Sequence, residues 1–322
     1  MDFMVKMAMA HGYKMHPRGN GTKSLNRGKH IHSGNTKPRN AFGCGECSKT
    51  SAHPNVHRKH SPFEFVKHLQ GAKKGDKIEG IHNLKKFLHQ FGYLDVQYLN
   101  DQEVDHDDQL DENTERAIKA YQLNFNLNPT GILDSETVSL MSRPRCGVPD
   151  IINGKTRMNS GASNYTTNYK FFPGSPKWPI SKKVLTWAIA PGTRKDVALS
   201  LQGFSTQQWK RAVPFDFKYI GEDNVTADIK ISFKKGDGPQ KALAYAFGPT
   251  SGVMVFDADE NWSNGAVPGK YDMGTVGLHE LGHVLGLDHS SDKNAIMWPY
   301  IGDSTRRGLG LDDWYGMKAL YK

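Results

Sequence analysis

Apolar side chains recur at helical spacing in the stretch that begins near Phe63. Positions three or four residues apart share one face of a helix, and the first such run ends at Gly92, a residue type that commonly terminates helices. A second run follows Asp111, and a third begins after Asp134, a side chain suited to capping a helix. The positions on one face of the first two runs are Ile78, Ile81, Leu84, Phe87, Leu88, Phe91, Ala117, Ile118, Tyr121, Gln122 and Phe125. A small three-helix unit over residues 61–142 is predicted.

The second half of the chain has shorter apolar runs and two further helical patterns. Apolar and β-branched residues predict five strands, at 185–189, 215–220, 227–233, 243–247 and 253–256. Val197, Leu201, Phe204 and Trp209 share one face of a predicted long helix over 194–213, and a last helix is predicted at 312–321. Strands and helices together indicate an α+β domain.

Composition and charge narrow the class of protein. With 37% apolar residues and six tryptophans, the 322-residue chain can bury a core and accommodate two domains. Residues 1–60 hold 11 of the 42 Lys and Arg but two of the 33 acidic residues, so the rest has 31 of each sign and the net charge of +9 belongs to this tail. The tail over 1–60 is therefore expected to be basic and disordered. A nucleic-acid partner is not expected.

The same tail contains Cys44 and Cys47, with several histidines after them. This group fits either a small zinc knuckle or an oxidisable cysteine pair, and its spacing matches no standard zinc finger. Residues 1–10 lack the apolar run of a clear secretory signal peptide. No apolar run is long enough for a transmembrane helix.

Three histidines stand out in the second half. His279, His283 and His289 are the only histidines after Asp150, although the chain has 14. The four-residue spacing of the first two places both imidazoles on one helix face, where they can share a metal ion. Gly286 would end that helix in the left-handed conformation, and the turning chain would bring His289 to the same ion. Three nitrogen ligands leave a fourth position open, as in a catalytic zinc site.

Glu280 directly follows the first of these histidines. Its carboxylate is a candidate general base that takes a proton from a zinc-activated water and passes it to a leaving amine. A His-Glu-x-x-His pattern alone can be ordinary surface charge on a helix, but a chance scatter does not explain the concentration of histidines. Met297 could lie in a tight turn under the ligands, or it could simply fill the core.

Residues 144–150 read Pro-Arg-Cys-Gly-Val-Pro-Asp. A thiolate is a strong zinc ligand, so Cys146 could fill the open fourth position, while Arg145 paired with Asp150 would hold the segment in place. A lone cysteine can also be a small buried hydrophobe. Residues 151–168, rich in Asn, Ser, Gly and Thr, are typical of a cleavable linker.

Several of these motifs together resemble the matrixins, the matrix metalloproteinase family of the metzincin clan. They are the zinc helix, the His-Ser pair at 289–290, the Ile-Met-Trp-Pro turn at 296–299 and the whole segment 144–150. Lys-Gly-Asp at 74–76 and Phe-Gly-Tyr-Leu at 91–94 are similar to the plant branch. The resemblance implies a peptidoglycan-binding-like helical prodomain, a cysteine switch at 143–150 and a catalytic domain at 169–322. That domain would have a mixed twisted five-stranded sheet and three helices.

The resemblance also implies how a substrate is bound. The substrate would lie as an added strand along the edge that contains Leu243 and Ala244. The pocket for the residue after the scissile bond is expected to be lined by Leu278, His279, Pro299, Tyr300 and Ile301. This lining favours an apolar side chain.

The chain departs from the family at a second metal site. Matrixins also carry a structural zinc, held by one aspartate and three histidines; here the aspartate is kept as Asp237. The places of the histidines are taken by Lys235, Tyr245 and Val255. Lysine is cationic and valine has no donor atom, so no structural zinc is expected. Asp257 and Glu260 could hold one calcium weakly through their oxygens.

The sequence therefore favours a latent zinc endopeptidase that hydrolyses peptide bonds in extracellular proteins. The alternative is a catalytically decayed matrixin that acts as a binding protein, which is disfavoured because Glu280 and all three histidines are present. The expected partners are protein or peptide substrates of a monomer, and no glycan-binding role is expected for the prodomain. Family resemblance and the glycosylation sequons at Asn164, Asn224 and Asn261 indicate a location outside the cell or in the cell wall or apoplast.

Overall fold

The computed structural model describes residues 62–95, 108–158, 167–235 and 242–322. These residues lie in one compact unit, His60–Lys322, with one hydrophobic core in its helical first part and another in its second part. Three predicted features lie outside the described residues: the basic tail with Cys44 and Cys47, residues 159–166 of the linker including Asn164, and Asp237.

The first part is helical, as the apolar spacing predicts. A 3₁₀ helix, Pro62–Leu69, precedes α1 (Ile81–Gln90), α2 (Glu112–Asn124) and α3 (Ser135–Met141). Asp111 and Asp134 cap α2 and α3, because their carboxylates accept hydrogen bonds from the backbone N–H of Thr114 at 2.7 Å and of Thr137 at 2.8 Å. Gly92 follows α1 with a φ of 85°. A Cβ there would lie 2.0 Å from the Ile151 carbonyl oxygen, so glycine is required.

The segment after Asp150 is more ordered than its composition indicates. Residues 151–156 form a tight antiparallel hairpin of β1 (Ile151–Ile152) and β2 (Lys155–Thr156). Arg157 and Met158, which follow the hairpin, are both buried. The first half of the predicted linker is therefore a packed element, because these two side chains have partners that local sequence does not reveal.

The second part is built on a mixed five-stranded sheet. Its strands are β3 (Val184–Ile189), β4 (Asp216–Glu222), β5 (Ile229–Lys234), β6 (Ala244–Ala246) and β7 (Val253–Asp257). Their order is β4-β3-β5-β7-β6, and only the β6–β7 pair is antiparallel. The predicted α+β class and all five predicted strands are confirmed. A short parallel pair, β8 (Trp262–Ser263) and β9 (Tyr271–Asp272), was not predicted.

Helices pack against the sheet and carry the site. The predicted long helix is one helical path with a π-helical turn in its middle: α4 (Lys195–Ser200), the turn Leu201–Ser205 and α5 (Thr206–Trp209). The other two are α6 (Met273–Leu285) and α7 (Leu311–Leu320). None of the helices in the described ranges has the length and apolar character needed to cross a bilayer.

Candidate metal centre

Helix α6 places His279 and His283 on one buried face. Its N-terminus is fixed by Asp272, whose carboxylate accepts from the backbone N–H groups of the first turn. Gly282 lies between the two histidines, and a Cβ there would be 2.3 Å from the sulfur of Met297. The glycine thus allows Met297 to pack directly under the helix.

A left-handed turn ends α6, as predicted. Gly286 has a φ of 112°, and a Cβ there would lie 2.6 Å from the Pro176 carbonyl oxygen. The Leu287 N–H then donates to the Gly282 carbonyl at 3.0 Å, which closes the turn. The reversed chain brings His289 beside the other two imidazoles, with ring centroids 5.5 Å from His279 and 4.9 Å from His283.

One nitrogen of each histidine is already engaged. The Nδ1 atoms of His279 and His283 lie 2.7 Å and 2.9 Å from the carbonyl oxygens of Ile296 and Leu287. A carbonyl can only accept a hydrogen bond, so each Nδ1 carries the proton and each Nε2 keeps a lone pair. His289 uses Nδ1 in the same way, 3.2 Å from the Asp150 carboxylate.

The free nitrogens meet the thiol of Cys146. The ligand atoms of Cys146, His279, His283 and His289 all lie within 4.8 Å of one another, and all four side chains are buried. Cys146 Sγ is 3.6 Å from His283 Nε2. The structure therefore brings together the four metal ligands that the sequence predicts.

The chemistry of this donor set fits zinc. Burial lowers the pKa of all three histidines, that of His279 to about 3, so the imidazoles are neutral as ligands must be. The Nε2 atoms of His279 and His289 have no hydrogen-bond partner among the described residues. Burial raises the pKa of the Cys146 thiol, and a divalent cation is the group that would stabilise its thiolate here. Histidine nitrogens and cysteine thiolates are ligand types that zinc binds, and four of them match its usual tetrahedral coordination number.

Glu280 is buried beside the ligands without being one of them. Both carboxylate oxygens lack a hydrogen-bond partner among the described groups, and burial raises the pKa of this carboxyl to about 8. A carboxyl that binds a proton readily and has unsatisfied oxygens is suited to exchange protons with a reactant placed at the centre.

The turn that contains Met297 closes the floor of the centre. Asp313 accepts from the backbone N–H groups of Ile296 at 2.7 Å, Met297 at 3.0 Å and Gly310 at 2.7 Å. Ile296 in turn positions His279 through its carbonyl. Met297 is fully buried, and α7 therefore anchors the turn through one carboxylate.

The segment around Cys146 runs between two walls. On one side, the Leu243 N–H donates to the Arg145 carbonyl at 3.0 Å and the Gly147 N–H donates to the Ala244 carbonyl at 2.8 Å. On the other side, the Cys146 N–H donates to the Pro299 carbonyl at 2.8 Å. A Cβ on Gly147 would lie 2.9 Å from that of Ala242, so only glycine fits this strand.

Arg145 and Asp150 form the predicted ion pair, and both are fully buried. The guanidinium donates to the two carboxylate oxygens at 2.9 Å and 2.6 Å, which is the bidentate geometry that Arg favours. The Tyr93 hydroxyl donates to the same carboxylate at 2.8 Å, and the Arg145 guanidinium lies 3.7 Å from the centroid of the Phe91 ring. The charge of the Arg145 guanidinium and the hydrogen bond with His289 hold the pKa of Asp150 well below its ordinary range, although burial acts in the opposite direction.

The predicted pocket residues lie in two different environments. Leu278 and Ile301 are buried in the core of the second part, whereas Tyr300 is buried in the core of the helical part. The Tyr300 ring packs edge-on against the ring of Phe125, the residue directly after α2, with the ring centroids 5.3 Å apart. The helical domain therefore covers one predicted wall of the pocket.

Two of the positions that hold structural-zinc histidines in the family lie side by side on adjacent strands. Tyr245 of β6 is directly opposite Val255 of β7, and the Tyr245 ring lies 5.8 Å from that of Phe247. The predicted calcium residues, Asp257 and Glu260, are both buried. The Asp257 carboxylate accepts from the Asp259 N–H at 2.8 Å.

Several residues that connect the helical part with the sheet-containing part were not predicted as site residues from the sequence. They are Tyr93, Tyr121, Arg157, Phe172 and Asp288. Tyr121 lies within an apolar helical pattern, and Tyr93 directly follows the glycine that ends the first one, so both could be interpreted only as core. Arg157 and Asp288 form a buried ion pair with a distance of 2.7 Å, and no local signal connects residues so far apart in the chain.

Three neutral imidazoles on a helix and turn, with a buried carboxylate beside them, define a zinc-dependent peptidase centre of the metzincin kind. Residues 177–322 match the family model described as Matrixin, and residues 78–141 match that of a Putative peptidoglycan binding domain. The chain belongs to the matrixin family and is a zinc metalloendopeptidase that acts on protein substrates.

Individual relatives agree with this assignment. Metalloendoproteinase 5-MMP of Arabidopsis thaliana is 38% identical over 279 residues, which cover 80% of this chain and 76% of that protein. Metalloendoproteinase 1 of Glycine max is 37% identical over 264 residues, 77% of this chain and 83% of that protein. Matrilysin of Homo sapiens is 35% identical over 245 residues, 71% of this chain and 83% of that protein.

Proposed function

We propose that this chain is the latent form of a secreted matrixin, in which Cys146 blocks the catalytic zinc site until the residues before the catalytic domain are removed. The observation that carries the proposal is the convergence of the Cys146 thiol with three histidine nitrogens within 4.8 Å of one another. A thiolate in the fourth ligand position excludes the water that hydrolysis requires.

The path of the switch segment supports the same proposal. Arg145 and Gly147 pair with Leu243 and Ala244 through backbone hydrogen bonds, which is how an extended peptide would add to the edge of β6. The segment thus occupies the groove that a substrate would need. Latency has two sources in this proposal, a blocked ligand position and a filled groove.

Each catalytic residue has a defined role once Cys146 has left. His279, His283 and His289 would hold the zinc ion, which supplies a Lewis acid for the scissile carbonyl and lowers the pKa of water. Glu280 receives the proton of the attacking water on a carboxylate oxygen and then delivers it to the leaving amine nitrogen. Burial of Glu280 makes its carboxylate a stronger base than an exposed one.

The helical domain acts as a cover in this proposal. Tyr300 and Trp298, which follow the Met297 turn, are buried in its core. The Phe125 ring of that domain lies 5.4 Å from the Trp298 ring and 5.3 Å from the Tyr300 ring. Removing this domain would uncover the pocket wall together with the zinc site.

The metal content and location complete the proposal. One zinc is bound per chain, because Tyr245 and Val255 offer no imidazole for a structural site, and a calcium at Asp257 and Glu260 is at most weak. The protein acts outside the cell as a monomer. Asn261 is exposed and available for glycosylation, while Asn224 is half-buried.

Cleavage of a quenched fluorescent peptide by the zinc-loaded full-length chain tests the proposal. The protein should be inactive as purified, active after treatment with a mercurial that binds thiols, and inactive again with a zinc chelator. Glu280→Ala, treated identically, controls for a contaminating protease. Full activity before treatment would contradict latency, and inactivity after treatment with zinc still bound would support a binding protein instead.

A further inference from the structure

A buried ion pair crosses from the segment after the switch to the metal centre. Arg157 Nε donates to Asp288 Oδ2 at 2.7 Å, and both side chains are buried. Arg157 follows the β1–β2 hairpin, whereas Asp288 immediately precedes the zinc ligand His289. The pair therefore joins a residue that leaves on activation to a residue that stays.

Two buried arginines in this region, Arg145 and Arg157, differ in whether their carboxylate partner would be released with them on activation. Arg145 is paired with Asp150, so the cation and its carboxylate depart together with the switch segment. Arg157 is paired with Asp288, so its departure leaves a carboxylate without its cation. One carboxylate oxygen is already fixed, because Oδ1 accepts from the His289 N–H at 3.0 Å. Oδ2 is then free for a new donor.

An aromatic ring completes the environment of the guanidinium. The Arg157 Cζ lies 4.3 Å from the centroid of the Phe172 ring, within the range of a cation–π contact. Phe172 in turn packs edge-on against His283 at 5.9 Å. A carboxylate and a flat ring together match a planar guanidinium better than an ammonium group.

The order of residues along the switch segment relates this environment to the predicted apolar pocket. Within the switch segment, Arg145 pairs with Tyr300 through the backbone, and Cys146 lies beside the three histidines. Arg157, which follows the segment, donates its backbone N–H to the Asp150 carbonyl at 2.7 Å. Tyr300 belongs to the predicted wall for the residue after the scissile bond. Because the proposed switch segment follows the substrate groove from Tyr300 past Cys146, we assign Asp288 to the side of the residues before that bond.

We propose that Asp288 and Phe172 form a subsite for an arginine side chain on the amino-terminal side of the scissile bond, and that Arg157 occupies this subsite in the latent protein. The inference rests on the proposed protease function and specifies its substrate class. Peptides with arginine shortly before an apolar residue are then preferred substrates.

Lys170 is the competing cation. Its ammonium donates to the Thr156 carbonyl at 2.5 Å, and its backbone carbonyl accepts from the Asp288 N–H at 2.8 Å. Loss of the hairpin frees this ammonium to approach Asp288. Substrate arginine must displace it, so Lys170→Ala should increase the preference for arginine.

The test uses the activated zinc enzyme, with its mass showing that residues through Arg157 have been released. Quenched peptides carry arginine, lysine, citrulline or alanine at each of the three positions before the scissile bond. Citrulline has the shape of arginine without its charge. At one position the kcat/KM for arginine should exceed that for citrulline by about tenfold or more, the value of a charge-assisted hydrogen bond.

Variants separate a specificity role from a structural one. In Asp288→Asn the arginine-to-citrulline ratio should fall to near one, and Asp288→Glu should recover part of it. Asp196→Asn, an exposed carboxylate on α4, should keep the wild-type ratio. Phe172→Leu should reduce the discrimination between arginine and lysine.

The outcomes distinguish this inference from the proposed function. A wild-type enzyme that cleaves the peptides with a ratio near one at every position overturns the subsite, even if the Asp288 variants do not fold. A wild-type ratio that persists in Asp288→Asn also overturns it. An activated, zinc-loaded protein that cleaves none of the peptides rejects the protease proposal itself.

Discussion

The hydroxyl groups of Tyr121 and Tyr300 lie 2.6 Å apart, and both side chains are buried. Tyr121 belongs to helix α2 of the helical domain, and Tyr300 belongs to the predicted wall of the substrate pocket. The same Tyr300 lies next to the guanidinium of Arg145, 5.0 Å from its ring centroid. The helical domain therefore contacts the catalytic part at the wall that is expected to select the substrate.

This hydrogen bond should stabilise the full-length protein measurably. Tyr121→Phe and Tyr300→Phe should each lower the free energy of unfolding by about 1–2 kcal/mol, because each leaves a buried hydroxyl with a lost partner. The double variant should lose less than the sum, with a coupling of about 1 kcal/mol. Urea unfolding of the full-length chain measures this, and the exposed Tyr315→Phe is the control. Strictly additive losses would show that the two hydroxyls do not interact.

Glu280→Gln should bind zinc normally but lose turnover by about 100-fold or more, because the variant keeps all metal ligands and lacks the proton carrier. Metal analysis and peptide cleavage of the same mercurial-activated sample measure both properties. A variant with its full zinc content and near-normal turnover would contradict the assigned role.

Cys146→Ser should yield a full-length protein that is active or processes itself without a thiol reagent, because a serine hydroxyl is a weak ligand for zinc. Peptide cleavage by untreated protein measures this change. The chain has three cysteines, so Cys44→Ser and Cys47→Ser are matched controls that should remain latent. Complete latency of Cys146→Ser would rule out the switch.

Metal analysis of the activated protein should give one zinc per chain, since the strand positions Tyr245 and Val255 replace imidazoles. A strong chelator should remove this zinc together with the activity. The apolar contacts around Phe247 should hold the neighbouring loop, so the Tm should fall by less than for a relative that loses two zinc ions. A reproducible content of two zinc ions would refute the single-site prediction.

Asp313 should make stability depend on pH. Burial raises its pKa to about 6, above the value of about 3.9 for an unfolded aspartate, so the folded state binds the proton more tightly. Its stabilising contribution is complete below about pH 4 and is lost as the pH rises to about 6. Relative to Asp313→Asn, the wild type should lose about 2–3 kcal/mol of unfolding free energy between pH 4 and 7.

Thermal or urea unfolding of both proteins across this range measures the difference. Asp303→Asn, which changes an exposed carboxylate, should follow the wild type. A wild type whose stability rises relative to Asp313→Asn over the same interval would show that the carboxyl is ionised well below pH 6.

Much of the metal centre could be predicted because its ligands are positioned by short sequence patterns. His279 and His283 depend on helical spacing, and His289 depends on a glycine turn three residues earlier. Alternation and apolar runs likewise predicted the five strands, since burial of one face is a local property of a strand. The π-helical turn at Leu201–Ser205 was not predicted, because its apolar spacing is the same as that of a regular helix.

The contacts between the two parts could not be predicted in this way. Arg157 follows a Gly-Asn-rich stretch that is typical of a linker, and its partner Asp288 resembles a polar residue at the end of a helix. Tyr121 fits the apolar face of α2 equally well with or without its hydroxyl bond. Pairing between residues distant in the chain depends on how the domains pack, which no local pattern records.

The segment that carries Cys146 is hydrogen-bonded through its backbone on both sides, to Leu243 and Ala244 on one side and to Pro299 on the other. A reagent that captures the thiol removes one contact and leaves this ladder in place. If the segment blocks the site as proposed, its release requires these backbone hydrogen bonds to break as well. The rate of activation would then depend on how fast the backbone hydrogen bonds open. A cleaved but still paired segment could therefore close the groove again before it diffuses away.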